Sequence, residues 1–191
     1  MADALDTSDA PEAALLHCGM VPDHERLNLR LRPLLLEMAE RIPDKVTNGS
    51  TGQSYFDNKW LSARDLHLLP DEEMKSLVSR IEIAANHVPW PNQEADRRLK
   101  IIAMWAIVSK VGMEGKPHTH AGKVSGAYYV DSGACDDMGI GAFAVYSSKG
   151  RLIRTLPPRT GMMLMFPSNL WHGVLRYESE QPRIVLSFNL A

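Results

Sequence analysis

The chain has 191 residues, enough for one domain with a substantial core, and carries 21 Lys and Arg against 23 Asp and Glu for a formal net charge of -2. This near balance, with no basic stripe and no long acidic run, speaks against a nucleic-acid surface and a solvating tail. The longest apolar runs, Ile101 to Val108 and Met162 to Phe166, are too short to span a bilayer, so no membrane role is expected.

Residues 1–14, beginning Met-Ala-Asp-Ala-Leu-Asp, lack the charged and apolar regions of a secretory signal and are expected to be a loose terminus of a cytoplasmic protein. Two cysteines, Cys18 and Cys135, fit a reducing compartment as small semi-buried side chains, with a single disulfide left open. One domain is expected over residues 15–191, its helical part at about 15–98 and its β part at about 99–191. A first helix is predicted from Asp23, as N-cap, to about Arg41, with Leu27, Leu31, Leu34, Leu35 and Met38 at helical spacing. Pro33 predicts a kink or a split there. Pro43 to Trp60, with Thr47 to Gly52 in succession, reads as an irregular loop. A second helix starts near Pro70 and Asp71, places Glu72 and Glu73 where the macrodipole favours them, and stops at Pro89 and Pro91. His17, His24, His67 and His87 fall in this helical half without useful spacing and read as surface or capping residues.

Beyond about residue 98 the segments are short, β-branched or aromatic, and broken by Gly or Pro. Strands are predicted near Ile101–Val108, Val124–Val130, Ala142–Tyr146, Arg151–Thr155, Met162–Phe166 and Arg183–Leu190. Two helices followed by six strands suggest an α+β protein. Near-continuous apolar strands imply a sandwich or barrel covered by the helices. In the last strand Arg183, Val185, Ser187 and Asn189 share one face and Ile184, Leu186 and Phe188 the other.

The candidate chemistry lies in His118-Thr119-His120, in the later His172 and in Arg183. Imidazole nitrogen suits iron, copper, nickel or zinc. Two close ligands and one distant ligand leave coordination positions open for substrate or oxygen, whereas a closed structural zinc site wants four ligands. A buried Arg183 on the polar face of its strand needs an anionic partner, which a carboxylate-bearing ligand supplies. Tyr128 and Tyr129 point to opposite faces, and Ser125 shares the face of Tyr129.

These residues resemble a known family. From Trp105 to the C-terminus the chain is similar to the bacterial 2-oxoglutarate/Fe(II)-dependent oxygenases. The resemblance rests on His118-Thr119-His120, Ser125-Gly126-Ala127-Tyr128-Tyr129, Phe166-Pro167-Ser168-Asn169-Leu170-Trp171-His172, Arg183 and Phe188-Asn189. It implies a double-stranded β-helix, a jelly roll or cupin-like barrel, with the N-terminal helices packed on one sheet. It further implies that His118, His120 and His172 hold Fe(II), and that Arg183 clamps the distal carboxylate of 2-oxoglutarate. Ser187, Tyr129, Ser125 and Asn189 are the remaining candidate co-substrate contacts. Dioxygen takes the last open position, and the implied products are succinate, carbon dioxide and a hydroxylated substrate. One departure matters: the wider superfamily carries Asp or Glu where this chain has His120. A second possibility is that only one of His118 and His120 binds metal while the other orients substrate or a water.

Two rival readings share the fold. Cupin-like metalloproteins also space Gly112 from His118-x-His120 and Gly161 from Pro167 and His172 in this way, and use three histidines without 2-oxoglutarate as dioxygenases or isomerases. Their pattern expects a Glu four or five residues after the pair, where this chain has Val124 and Ser125, and leaves Arg183 without a role. The other rival is a non-catalytic binding module. The primary substrate is unidentified by the sequence, and a second copy of the chain is a candidate partner.

Overall fold

The computed structural model describes residues 15–42, 58–91, 98–135 and 139–191. The terminus expected to be loose at 1–14 lies outside them, as does most of the expected loop before Trp60, Thr47 to Gly52 included.

Helix α1 (His24–Arg41) buries Leu27, Leu31 and Leu35, the four-residue spacing that places side chains on one face. Asp23 stands at its start in the left-handed region, with φ 52° and no capping bond from its side chain, so the expected N-cap is positional only. Pro33 neither splits nor ends the helix. It lies on the exposed side, below Leu29, which is 80% exposed, so the carbonyl that loses its partner faces water. Helix α2 (Glu72–His87) starts at a working cap, Asp71, whose carboxylate accepts the Met74 N–H at 3.1 Å. It buries Met74, Leu77, Ile81 and Ala85.

Ten strands follow the chain as β1 (His17–Met20), β2 (Lys59–Leu61), β3 (Ile101–Ser109), β4 (Gly115–His118), β5 (Val124–Asp131), β6 (Phe143–Tyr146), β7 (Leu152–Leu156), β8 (Met162–Pro167), β9 (His172–Val174) and β10 (Arg183–Leu190). The six expected strands are present within one or two residues at each end. β1, β2, β4 and β9 were not expected: at three or four residues they are too short to show an alternation. β1 and β2 also correct the placing of every strand after about residue 98, because each lies in the helical part and pairs onto a strand of the later half.

All pairings between strands are antiparallel and form two sheets, one in the order β1-β8-β5-β10-β3-β2 and one in the order β4-β9-β6-β7. Among the described residues no strand pairs across the two sheets. The expected jelly roll is therefore present as a sandwich with open edges rather than a closed barrel. One core lies between the helices and the six-stranded sheet, where Leu31, Leu35, Leu77 and Ile81 meet Met104, Tyr128, Leu186 and Phe188. A second lies between the sheets, built from Ala127, Tyr129, Leu164, Phe166 and Val185 on one side and Phe143 and Val145 on the other. β10 runs between β3 and β5. Its period-two alternation turns Ile184, Leu186 and Phe188 to the helices and Arg183, Val185, Ser187 and Asn189 to the space between the sheets.

Both cysteines are free, Cys18 exposed on β1 and Cys135 half-buried, which closes the disulfide option between them and corrects the semi-buried reading of Cys18. No helix among the described residues is long and apolar enough to cross a membrane.

Candidate active site

His118 closes β4 and His172 opens β9, and the antiparallel register sets them directly opposite each other. His120 follows in the turn, its backbone N–H donating to the Ser168 carbonyl at 2.8 Å, which ties that turn to the end of β8. The three rings stand 4.5, 4.8 and 4.9 Å apart between centroids, and their candidate ligand atoms lie within 4.8 Å of one another. Phe143 stacks on His172 at 5.4 Å with 17° between planes, and Phe166 flanks it at 4.5 Å.

Second contacts orient two of the rings. Nδ1 of His118 faces the Lys116 carbonyl at 2.7 Å and Nδ1 of His172 faces the Leu170 carbonyl at 2.9 Å. A carbonyl only accepts, so each Nδ1 carries the hydrogen and each Nε2 of the neutral ring presents a lone pair. Burial pushes the His172 pKa down to about 3 against the Leu170 carbonyl, which raises it, and the other two histidines depress it further. Burial, then the charges of His118 and Arg64, lower that of His120 to about 4. Both rings are therefore neutral, metal-competent ligands at pH 7. Nε2 of His172 lies 3.2 Å from Nε2 of His120. A shared cation satisfies both lone pairs there, since nitrogens about 2.1 Å from one ion stand about 3.0 to 3.4 Å apart in octahedral or tetrahedral geometry. The donor set fits a divalent transition metal.

A cavity of about 480 Å³ opens between the sheets and is lined by the three histidines together with Tyr129, Arg183, Ser187 and Asn189. Arg183 is 2% exposed, and its guanidinium carbon stands 5.3 Å above the centre of the Tyr129 ring. No carboxylate pairs with it among the described residues, and its Nε has no hydrogen-bond partner. Burial raises the Tyr129 pKa, against the pull of the adjacent Arg183 charge, so the phenol keeps its proton. Tyr128 points the other way, as alternation requires, and donates to Asn28 Oδ1 on α1 at 2.9 Å.

Ser125 is the candidate that does not reach the cavity wall. Its hydroxyl donates to Asn189 Oδ1 at 2.9 Å and meets the Ser168 hydroxyl at 2.7 Å, so it braces Asn189 and the segment that holds the His120 turn. That makes Ser168 a residue the sequence reading quoted without a role. Trp105 and Arg64 were missed altogether: Trp105 lies 5.6 Å from the His120 ring, and the Arg64 guanidinium stands 4.8 Å over Trp105. In the register Trp105 opposes Ser187 on β10, a pairing that no local sequence pattern announces.

Residues 103–189 match the model of the family described as "Putative 2OG-Fe(II) oxygenase". No curated protein matches the chain in sequence. Among solved structures, a prolyl-4-hydroxylase from Pseudomonas putida is similar with a TM-score of 0.65 and 14% identity over 94% of this chain and 95% of that one. HygX from Streptomyces hygroscopicus, solved with nickel and 2-oxoglutarate bound, is similar with a TM-score of 0.64 and 13% identity over 98% and 87% of the two chains. A prolyl hydroxylase from Trichoplax adhaerens, in complex with a peptide of the hypoxia inducible factor, gives 0.65 and 11% over 91% and 83%. At such identities the likeness is one of fold: the jelly roll of 2-oxoglutarate oxygenases. The matched segment is the one that holds His118, His120, His172 and Arg183.

Proposed function

We propose that the protein hydroxylates a primary substrate at the expense of 2-oxoglutarate, with His118, His120 and His172 holding Fe(II) and Arg183 holding the distal carboxylate of the co-substrate. The observation that carries this reading is Arg183 itself, a buried guanidinium with an unpartnered Nε, facing the same cavity as three converging imidazoles. A buried, unpaired charge costs several kcal/mol, about 3 to 5 where such a pair has been broken. An anion that repays it belongs to the working state of the site. When bound, Fe(II) and 2-oxoglutarate supply oxidative decarboxylation, to succinate and carbon dioxide, coupled to oxidation of a C–H bond.

The chain's own part is positional and electrostatic. Arg183 offers a planar fork that matches a carboxylate bidentately. Tyr129, Ser187 and Asn189 line the same wall and orient the co-substrate between Arg183 and the histidines. The Lys116 and Leu170 carbonyls hold His118 and His172 in the tautomer that exposes Nε2. Phe143 and Phe166 keep water from the buried side of His172. With His120 where relatives carry an acid, three neutral ligands leave the charge of a divalent ion uncompensated. A dianionic co-substrate neutralises it, so metal and 2-oxoglutarate bind cooperatively.

Succinate and carbon dioxide release on aerobic incubation with Fe(II) and 2-oxoglutarate tests the reading, and equimolar release that stops on chelation is expected. Iron bound with no succinate formed supports the cupin-like alternative, and neither iron nor succinate supports a non-catalytic binding module.

A further inference from the structure

The cavity holds a second cationic anchor. Arg64 lines it, stacked on Trp105, whose partner in the register is Ser187, four residues along β10 from Arg183. Its backbone is fixed to β3: the Ser62 N–H donates to the Ala106 carbonyl at 3.1 Å, the Ala106 N–H to Ser62 Oγ at 2.9 Å and the Met104 N–H to the Arg64 carbonyl at 3.0 Å. The guanidinium is thus held by a stitched segment and an aromatic face, a cation–π arrangement that keeps its edge free to donate. It forms no ion pair with a carboxylate among the described residues. Lys59 lines the cavity as well, and no Asp or Glu does so among the described residues. Trp105 lies between Arg64 and His120, and Leu61, Ile107 and Met113 add apolar wall to the same cavity.

A cleft lined by one sign of charge focuses its field and concentrates anions. The 2-oxoglutarate dianion has two carboxylates, and the reading above assigns them to the metal and to Arg183. Arg64 is left for a third. Resting on the oxygenase reading, we infer that the primary substrate is a carboxylate on an apolar or aromatic body, its carboxylate gripped by Arg64 and its body lying on Trp105 beside His120.

Benzoate and benzamide, of like shape and different charge, test this by anaerobic calorimetry on the full chain loaded with Fe(II) and 2-oxoglutarate. Benzoate is expected to bind at least tenfold more tightly than benzamide. Arg64→Gln is expected to abolish that preference and Arg64→Lys to keep part of it, with 2-oxoglutarate affinity in both variants within twofold of wild type. Equal binding of the two probes, a preference that survives Arg64→Gln, or no benzoate binding overturns the assignment. Failure of the wild-type protein to bind 2-oxoglutarate sinks the oxygenase reading instead, and the same pair of probes on the metal-free chain still decides the role of Arg64.

Discussion

Arg183 carries a permanent charge into a place where it is 2% exposed, and the described residues offer it an aromatic face but no counter-ion. Truncating one partner of a buried charge pair costs about 2 to 5 kcal/mol. Arg183→Ala should therefore weaken 2-oxoglutarate binding by about 100-fold or more while leaving metal affinity within a few-fold. Titration of the metal-loaded variant measures both, and unchanged co-substrate affinity would remove Arg183 from the site. The histidines make a prediction of opposite character. In the unfolded chain their rings titrate near 6.5, but folded they titrate at about 4 for His120 and about 3 for His172. Between those values the unfolded chain binds more protons, so stability falls as pH falls. The contribution is complete above about pH 6.5 and is lost progressively as pH drops through the two folded values. Urea midpoints of the metal-free protein from pH 7 to pH 4.5 should decline, less steeply in His172→Asn; equal slopes would show that these rings are not the cause. The three histidines and Arg183 were legible in the sequence because residue type and spacing expose them. Arg64 was not, since its link to Trp105 spans 41 positions and exists only once the segment after β2 is tied to β3.

At the scale of elements, β10 could be read from its sequence because eight residues in a buried central strand show a clear period of two. β4 and β9 could not, although they deliver His118 and His172: each has three or four residues, and Pro117 and Gly173 obscure any strand pattern. The first helix shows the same split. Its Leu stripe announced it, yet the capping role inferred for Asp23 fails because a left-handed backbone turns that side chain away from the first turn. β5 carries a second constraint. A Cβ on Gly126 would run into the Leu164 carbonyl of β8 and the Phe188 ring of β10, and neither can retreat from the middle of the sheet. Gly126→Ala should cost about 1 to 3 kcal/mol of stability, the usual penalty of overpacking. Urea denaturation reads it directly, and a loss under about 0.5 kcal/mol would mean the sheet adjusts more freely than its packing suggests.

Across the whole molecule, charge divides along the chain. Residues 1–98 hold 11 Lys and Arg against 17 Asp and Glu, while residues 99–191 hold ten against six. A net charge of -2 concealed this, because composition sums over two halves of opposite sign. The layered arrangement was legible, helices against one sheet and the polar face of β10 between the sheets. The open edges were not, because closure depends on which strands meet and no local pattern encodes that. The central claim is that this arrangement joins a three-histidine metal centre to a co-substrate clamp in one cavity. Anaerobic addition of 2-oxoglutarate to the Fe(II)-loaded protein tests it most directly. The account predicts saturable binding with a new visible charge-transfer absorption, lost in His172→Ala and absent without metal. Binding of 2-oxoglutarate that is indifferent to the metal, or no binding at all, would contradict it.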